Sequence, residues 1–331
     1  MNNYKIYGQQ GVNDEVITHY LNVIVKGIKK SNSNCSVERA RSYKDINKKD
    51  ICIFYTFTDA IRILIRKKVK FYIWFQGIYP EERQLYSKGK FDYILCSFLE
   101  KIVLKKANKI FVVSEEMIKF YEKKYKIKIK EKSLIIPCYN DSLKKESFYK
   151  KNKYEIPTFT YVGSLSKWQC FEKTVLLFKK INTLIPNAKF YVYTKNVDEA
   201  RNVLNKNGVK NFYVNCVKPE EINEKLSTIK YGFIIRENIS INNVATPTKF
   251  ANYLSAGVIP IISSSIKFYD QIAKNSDYII SEENEEEIIK KVVNFESRKI
   301  YNKEVFENYF QIFNKYFNDE KNEEYVSNFL Q

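Results

Sequence analysis

An α/β architecture of two doubly wound parallel sheets is predicted by three observations. Short apolar runs alternate with helical patterns along the chain, and strand-helix alternation builds parallel sheets. The alternation occurs twice, and a polar, lysine-rich run over 144–153 followed by Pro157 separates the two sets. The length of 331 residues is long for one such domain, and 44% hydrophobic content can fill two cores. The predicted domains are 1–150 and 151–302, with the linker and hinge at 144–153 and a carboxyl-terminal helix over 303–331.

In the first domain, strands are expected near 4–7, 51–55, 71–75, 110–113 and 134–136. Gly8-Gln9-Gln10-Gly11 follows the first strand and opens a helix over about 12–30, a flexible turn at the sheet's carboxyl edge. After the strand at 71–75 come Gln76, Gly77, Pro80, Glu81 and Glu82, at the same edge. A carboxylate there, its pKa raised by burial, suits a general base for an inverting transfer, whereas a retaining one would leave Glu81 and Glu82 to orient hydroxyls. Alternatively the pair caps the next helix, whose first turn favours acids after a proline. His19, the only histidine, falls among Val16, Tyr20 and Val23 and reads as a packed or surface residue.

The second domain offers strands near 158–162, 189–193, 212–214, 231–235, 258–262 and 278–280, with helices from about 283 and 303. The first of these breaks at Gly163-Ser164-Leu165-Ser166-Lys167 before a helix from about Cys170 to Ile181, so Gly163 lets backbone approach a ligand and Lys167 can face phosphate. From Tyr231 to Ser263 a strand, a polar loop, the turn Thr246-Pro247-Thr248-Lys249 and a small-residue helix lead back into the sheet. Threonine caps and proline suits the first helical position. The amides of Thr248 and Lys249 at a helix start, with the lysine charge, would hold a phosphorylated ligand; the other reading is an ordinary capped helix.

Together these segments resemble the donor-binding domain of the GT-B glycosyltransferases grouped as glycosyltransferase family 4. The matches are Gly163, Ser164, Lys167 and the run from Thr246 to Ile262, and in the first half the stretch from Glu100 to Ser114, then Ile135, Ile136, Pro137 and Asn140. The resemblance implies two Rossmann-like domains facing a central cleft, the first binding the acceptor and the second a nucleotide-sugar, and a last helix that crosses back to the first domain. It implies acceptor contacts from Gly8, Gly11, Gln76 and Gly77, and donor contacts from Gly163, Ser164, Lys167, Arg236, Thr246, Thr248, Lys249 and Asn252. Two departures stand out. Val244 and Asn252 occupy the places of a glutamate pair, and Ser164 that of a phosphate-binding arginine, so Arg236 or Lys249 would take over that charge. The implied activity is transfer of a sugar to a lipid-linked bacterial surface glycan, with Glu81, Glu82 and Lys249 as catalytic candidates and neither metal nor cofactor. A GT-B-like sugar-nucleotide epimerase or an inactive scaffold is the alternative.

Composition narrows the partners. Six cysteines without a CxxC pair and a single histidine point to reduced thiols, a cytosolic setting and no zinc site. No run approaches a membrane span and the amino-terminal stretch lacks a signal's apolar core. Of the net charge of +18, residues 1–157 carry +16. A basic first domain suits an anionic membrane surface, with Arg62, Arg66, Lys67, Lys68 and the basic-aromatic stretch 119–132 as contacts; the expected place is the inner face of the cytoplasmic membrane. No nucleic-acid-binding module supports the competing reading of so basic a chain.

Overall fold

Parallel pairing organises the chain into two units of six strands each, in a computed structural model that describes residues 3–8, 15–86 and 89–331. The first unit comprises Met1–Asn140, Val244–Thr246 and Asn318–Gln331; the second comprises Asp141–Asn243 and Pro247–Phe317. No described helix is long and apolar enough to cross a membrane, and all six cysteines are free.

In the first unit, β1 (Asn3–Tyr7), β2 (Ser36–Arg39), β3 (Ile51–Phe54), β4 (Lys70–Phe75), β5 (Lys109–Val112) and β6 (Ser133–Ile135) form a sheet in the order β2-β1-β3-β4-β5-β6. Strand 3, and strands 4 and 5 after their first lysines, are apolar, as suits the buried strands of an all-parallel sheet. The helices used below are α1 (Glu15–Ser31), α2 (Phe57–Leu64), α3 (Tyr79–Gln84), α4 (Lys90–Lys106) and α5 (Glu115–Tyr125). Thr56 starts α2 and Ser114 starts α5, each side chain accepting an amide hydrogen from the third helical residue. Tyr20 of α1 stacks flat on Trp74 of β4, with ring centroids 3.6 Å apart, at the centre of this core. The helix Asp319–Leu330 lies along α1, where Gly27 leaves room for Val326.

The second unit holds β7 (Thr158–Val162), β8 (Lys189–Tyr193), β9 (Phe212–Asn215), β10 (Tyr231–Ile234), β11 (Ile259–Ser263) and β12 (Ile280–Glu282), in the order β12-β11-β10-β7-β8-β9. The order reverses between β7 and β10, and the crevice outside the carboxyl ends of such a switch point is where α/β sheets receive ligands. Phe159, Phe178, Phe190, Tyr231 and Phe233 interlock beneath it.

Several expectations change. β2 was not anticipated: Ser36-Val37-Glu38-Arg39 is a half-polar edge strand without an apolar signature. The stretch 144–153, expected as the linker, falls within the second unit. It contains the short helix Lys145–Phe148, and the buried Lys153 ammonium donates to the carbonyls of Leu226, Ser227 and Ala256. The single helix expected over 303–331 is two helices broken at Phe317-Asn318, of which Asn302–Tyr316 belongs to the second unit and Asp319–Leu330 to the first. Neither threonine caps: the Thr246 hydroxyl accepts the Cys138 N–H, and Thr248, itself in the right-handed helical region, makes no side-chain cap bond to the seven-residue helix Lys249–Ser255. Gly257 ends that helix in the left-handed region, φ +70°, as expected of a glycine there.

Candidate functional site

The second unit gathers two cations at its switch point. β7 ends at Val162 and runs into Gly163, whose φ of +130° is open to glycine alone among common residues. The turn is held by the Tyr161 hydroxyl donating to the Ser164 carbonyl at 2.6 Å, and it leads into the short turn Lys167–Gln169. From the adjacent strand β10 the chain passes directly into Arg236, whose main-chain N–H donates to Ser263 Oγ at 2.9 Å. Lys249 opens the next helix, which is pressed onto β10: Gly232 carries no Cβ because the Tyr253 ring occupies its place, and Phe250 stacks on Tyr269.

These elements converge on one oxygen. Lys249 Nζ donates to Gln169 Oε1 at 2.7 Å, and Arg236 Nη2 donates to the same atom at 2.5 Å. The Lys249 ammonium lies 4.7 Å from the centre of the Tyr161 ring, and a Cβ added to Gly163 would sit 3.2 Å from it. Burial, then the neighbouring Arg236 charge, holds the Lys249 ammonium well below the usual lysine range; burial also lowers Arg236. Among the described residues no carboxylate pairs with either cation. Two partly desolvated cations thus share one amide oxygen, with no carboxylate between them.

The other candidates of this unit are distributed around that pair. Ser164 is exposed and its hydroxyl meets Ser166 at 2.9 Å. Lys167 is exposed and, with Ser166, Lys173 and the carboxylates of Glu172, Glu199 and Glu237, lines a pocket of about 400 Å³; Lys173 pairs with Glu237 at 2.7 Å. Asn252 is half-buried, and its carbonyl accepts from the Ser255 hydroxyl. Thr246 falls in the first unit, where its hydroxyl accepts the Cys138 N–H at 3.0 Å, and the carbonyl of the buried Val244 accepts from Ser114 Oγ at 2.6 Å. Gln169 was not among the sequence candidates: one polar residue after Trp168 carries no signal until the pairing of β7 with β10 brings it under Arg236 and Lys249.

The first unit holds a different cluster, built on α3, α4 and α5. Glu81 Oε1 takes the Lys124 ammonium at 2.7 Å and the Tyr93 hydroxyl at 2.8 Å, while its Oε2 is buried without a hydrogen-bond partner among the described residues. Glu82 accepts the Ile78 N–H at the head of α3, and its carboxyl fills the space where a side chain at Gly77 would stand; burial raises its pKa. Glu100, fully buried, accepts the Tyr125 hydroxyl at 2.6 Å, and burial pushes its carboxyl up to about 8. Gly77's carbonyl takes the Tyr121 hydroxyl at 3.1 Å, Gln76 is half-buried, and Gly8 lies against the Tyr55 ring. Gly11 lies outside the described residues. His19 pairs with Asp319 at 3.2 Å on the packed helices. No group of three or more His, Cys, Asp or Glu residues able to hold a metal ion occurs among the described residues.

No protein-family model matches the chain, and no curated protein matches it in sequence. Solved structures match it in fold. A point mutant of S. aureus TarM, in complex with Fondaparinux, alpha-GlcNAc-glycerol and UDP, superposes with a TM-score of 0.62 at 12% identity over 86% of this chain. The match spans only 55% of the TarM chain. Sucrose-phosphate synthase from Thermosynechococcus elongatus gives 0.71 at 9% identity, covering 98% of this chain and 96% of its own. A glycosyltransferase from Rickettsia africae gives 0.66 at 12% identity, covering 100% and 99%. With two six-stranded parallel sheets and these neighbours, the chain has the GT-B fold.

Proposed function

We propose that this protein is a glycosyltransferase that takes a sugar from a nucleotide-sugar donor and passes it to a lipid-linked bacterial surface glycan, without a metal ion. The observation that carries this reading is the meeting of Lys249 and Arg236 on Gln169 at the switch point of a GT-B unit, with no carboxylate to neutralise them. The neighbour TarM, whose structure holds UDP, supports a nucleotide diphosphate as the anion. When the bond from the sugar's anomeric carbon to the diphosphate oxygen breaks, negative charge grows on that oxygen. Fixed cations in a partly dry site stabilise such charge, and removing one donor of this kind costs about 10²–10³ in turnover. Acidic side chains along the neighbouring pocket, Glu237 among them, supply acceptors for ribose or sugar hydroxyls in place of the glutamates absent at Val244 and Asn252.

The test is a thermal-shift panel of UDP, GDP, CMP and dTDP, followed by product analysis with the matching sugar nucleotides for the wild type and Lys249→Met. One nucleoside diphosphate stabilises the wild type by mass action, and the variant loses both that shift and about 10²–10³ of turnover. Unchanged turnover in Lys249→Met rules the assignment out. A product that is an isomer of the donor sugar, formed without acceptor, identifies an epimerase. Nucleotide binding without any product identifies the scaffold reading, which the lack of a carboxylate at Val244 and Asn252 keeps open.

A further inference from the structure

The outward face of α4 has the wrong chemistry for a water-facing helix. Its inner side is anchored by Cys96, Glu100, Val103 and Leu104, all buried. On the opposite side Phe91 is 78% exposed and Phe98 59%, with Ile94 and Leu95 exposed between them. The spacing i, i+3, i+4, i+7 puts these four on one stripe over two turns, the pattern that normally faces a core. No described element covers them.

The charges around the stripe have one sign. Lys105 and Lys106 are exposed and continue the same face about two turns further on, and Lys90 lies exposed at the other end. Both acids of the helix are turned to other work: Asp92 is held by Arg83 at 2.5 Å, and Glu100 is buried against Tyr125. The neighbouring helix α2, which packs on α4, runs into an exposed Ile65 followed by exposed Arg66 and Lys68. Residues 1–157 as a whole carry a net +16.

We propose that the outer face of α4 docks on an anionic lipid bilayer, its Phe, Ile and Leu side chains entering the headgroup boundary and its lysines meeting lipid phosphates. Aromatic and aliphatic side chains bordered by lysine are what an interfacial helix presents, and the uniformly positive border selects an anionic leaflet over a neutral one. This deepens the reading of a lipid-linked acceptor, for which docking would bring the enzyme to its substrate, but docking itself is measurable without any sugar.

The experiment sediments the full chain with vesicles of phosphatidylcholine alone or of phosphatidylcholine containing about one quarter phosphatidylglycerol. The wild type binds the anionic vesicles at least about tenfold more strongly and is released by high salt. Phe91→Ser with Phe98→Ser lowers that binding about tenfold or more while leaving the melting temperature in place, since both rings are exposed. Lys105→Glu with Lys106→Glu abolishes the preference for the anionic vesicles. Equal binding to both vesicle types, no binding to either, or unchanged binding of the Phe91/Phe98 variant overturns the proposal. So does a wild type that is dimeric in solution and a phenylalanine variant that is monomeric, with vesicles bound by neither, because the stripe is then a protein interface. The transferase reading is judged separately: Lys249→Met protein still sediments with anionic vesicles if docking holds, and loss of turnover in a chain that fails to dock bears on the membrane alone.

Discussion

The cluster on Gln169 in the second unit and the cluster on Glu81 and Glu100 in the first are both built from half-buried or buried ionisable groups, yet their charge is arranged in opposite ways. In the first unit the Lys124 ammonium is answered by Glu81 at 2.7 Å, and bracketed by the rings of Tyr93 and Tyr125 at 5.0 and 4.8 Å. Burial pushes the Glu100 carboxyl up to about 8, toward its uncharged form, and Lys124 lies 3.9 Å from it as well, so the lysine charge is compensated within the cluster. In the second unit Lys249 and Arg236 have only an amide between them. A compensated cluster holds a framework together. An uncompensated one costs stability until a counter-charge arrives, which is why the proposed donor site is placed there.

That contrast can be broken in three places. The largest effect is expected at Glu100. Its folded pKa of about 8 stands above the ordinary glutamate value, so its contribution to stability is complete below that ordinary value and is lost as pH rises through about 8. Glu100→Gln, which cannot ionise and keeps an acceptor for Tyr125, is therefore more stable than the wild type at pH 9 by about 3 kcal/mol, with the advantage shrinking toward pH 5. Urea titrations at the two pH values measure it; a variant less stable at pH 9 would show that Glu100 is a charged partner of Lys124 and that the first cluster is not as described.

Next in size is Gly232→Ala. The new Cβ would stand 2.5 Å from the Tyr253 ring and push the Lys249 helix off β10. Overpacking of this sort costs about 1–3 kcal/mol, and here nucleotide affinity should fall along with the melting temperature. A variant that melts lower but binds nucleotide as before would separate the helix position from the site.

Smallest is Gln169→Ala. Removing a shared acceptor for two cations costs about 1 kcal/mol of hydrogen bonding in the free protein. If the anion replaces Gln169 as the partner of Lys249, nucleotide affinity is kept or tightened by a few fold. If Gln169 positions both cations for the anion, affinity drops about fivefold. Calorimetric titration in buffers of different ionisation enthalpy reads the same event from the proton side. An arriving anion raises the depressed Lys249 pKa, so binding takes up a proton and weakens as pH rises through that pKa.

Most of the fold was legible because the strands that matter are short runs of apolar, aromatic and β-branched residues: 71–75, 110–113, 158–162 and 258–262 coincide with β4, β5, β7 and β11 to within a residue. β2 was not legible, because an edge strand of Ser, Val, Glu and Arg is defined by its pairing with β1 and not by its own composition. Of the site, Gly163, Arg236 and Lys249 could be picked out by residue type next to strand ends. Gln169 could not, since its role depends on β7 lying beside β10, a pairing of residues some seventy positions apart. The threonines beside Pro247 misled for the opposite reason. Their type suits a cap, but the Thr246 hydroxyl is taken by the Cys138 N–H and Thr248 is already in the helical region. The stripe on α4 escaped notice because apolar residues at helical spacing read as core; only the exposure of Phe91 and Phe98 reverses that reading.

The assignment of Asn318–Gln331 to the first unit has a consequence for synthesis. During translation the amino-terminal sheet emerges early, but the face of α1 that receives Val326 beside Gly27 stays bare until residues 318–331, made after the second unit, have emerged. The unit that begins first is thus completed last, and a nascent chain must carry an open apolar groove through the making of the whole second sheet.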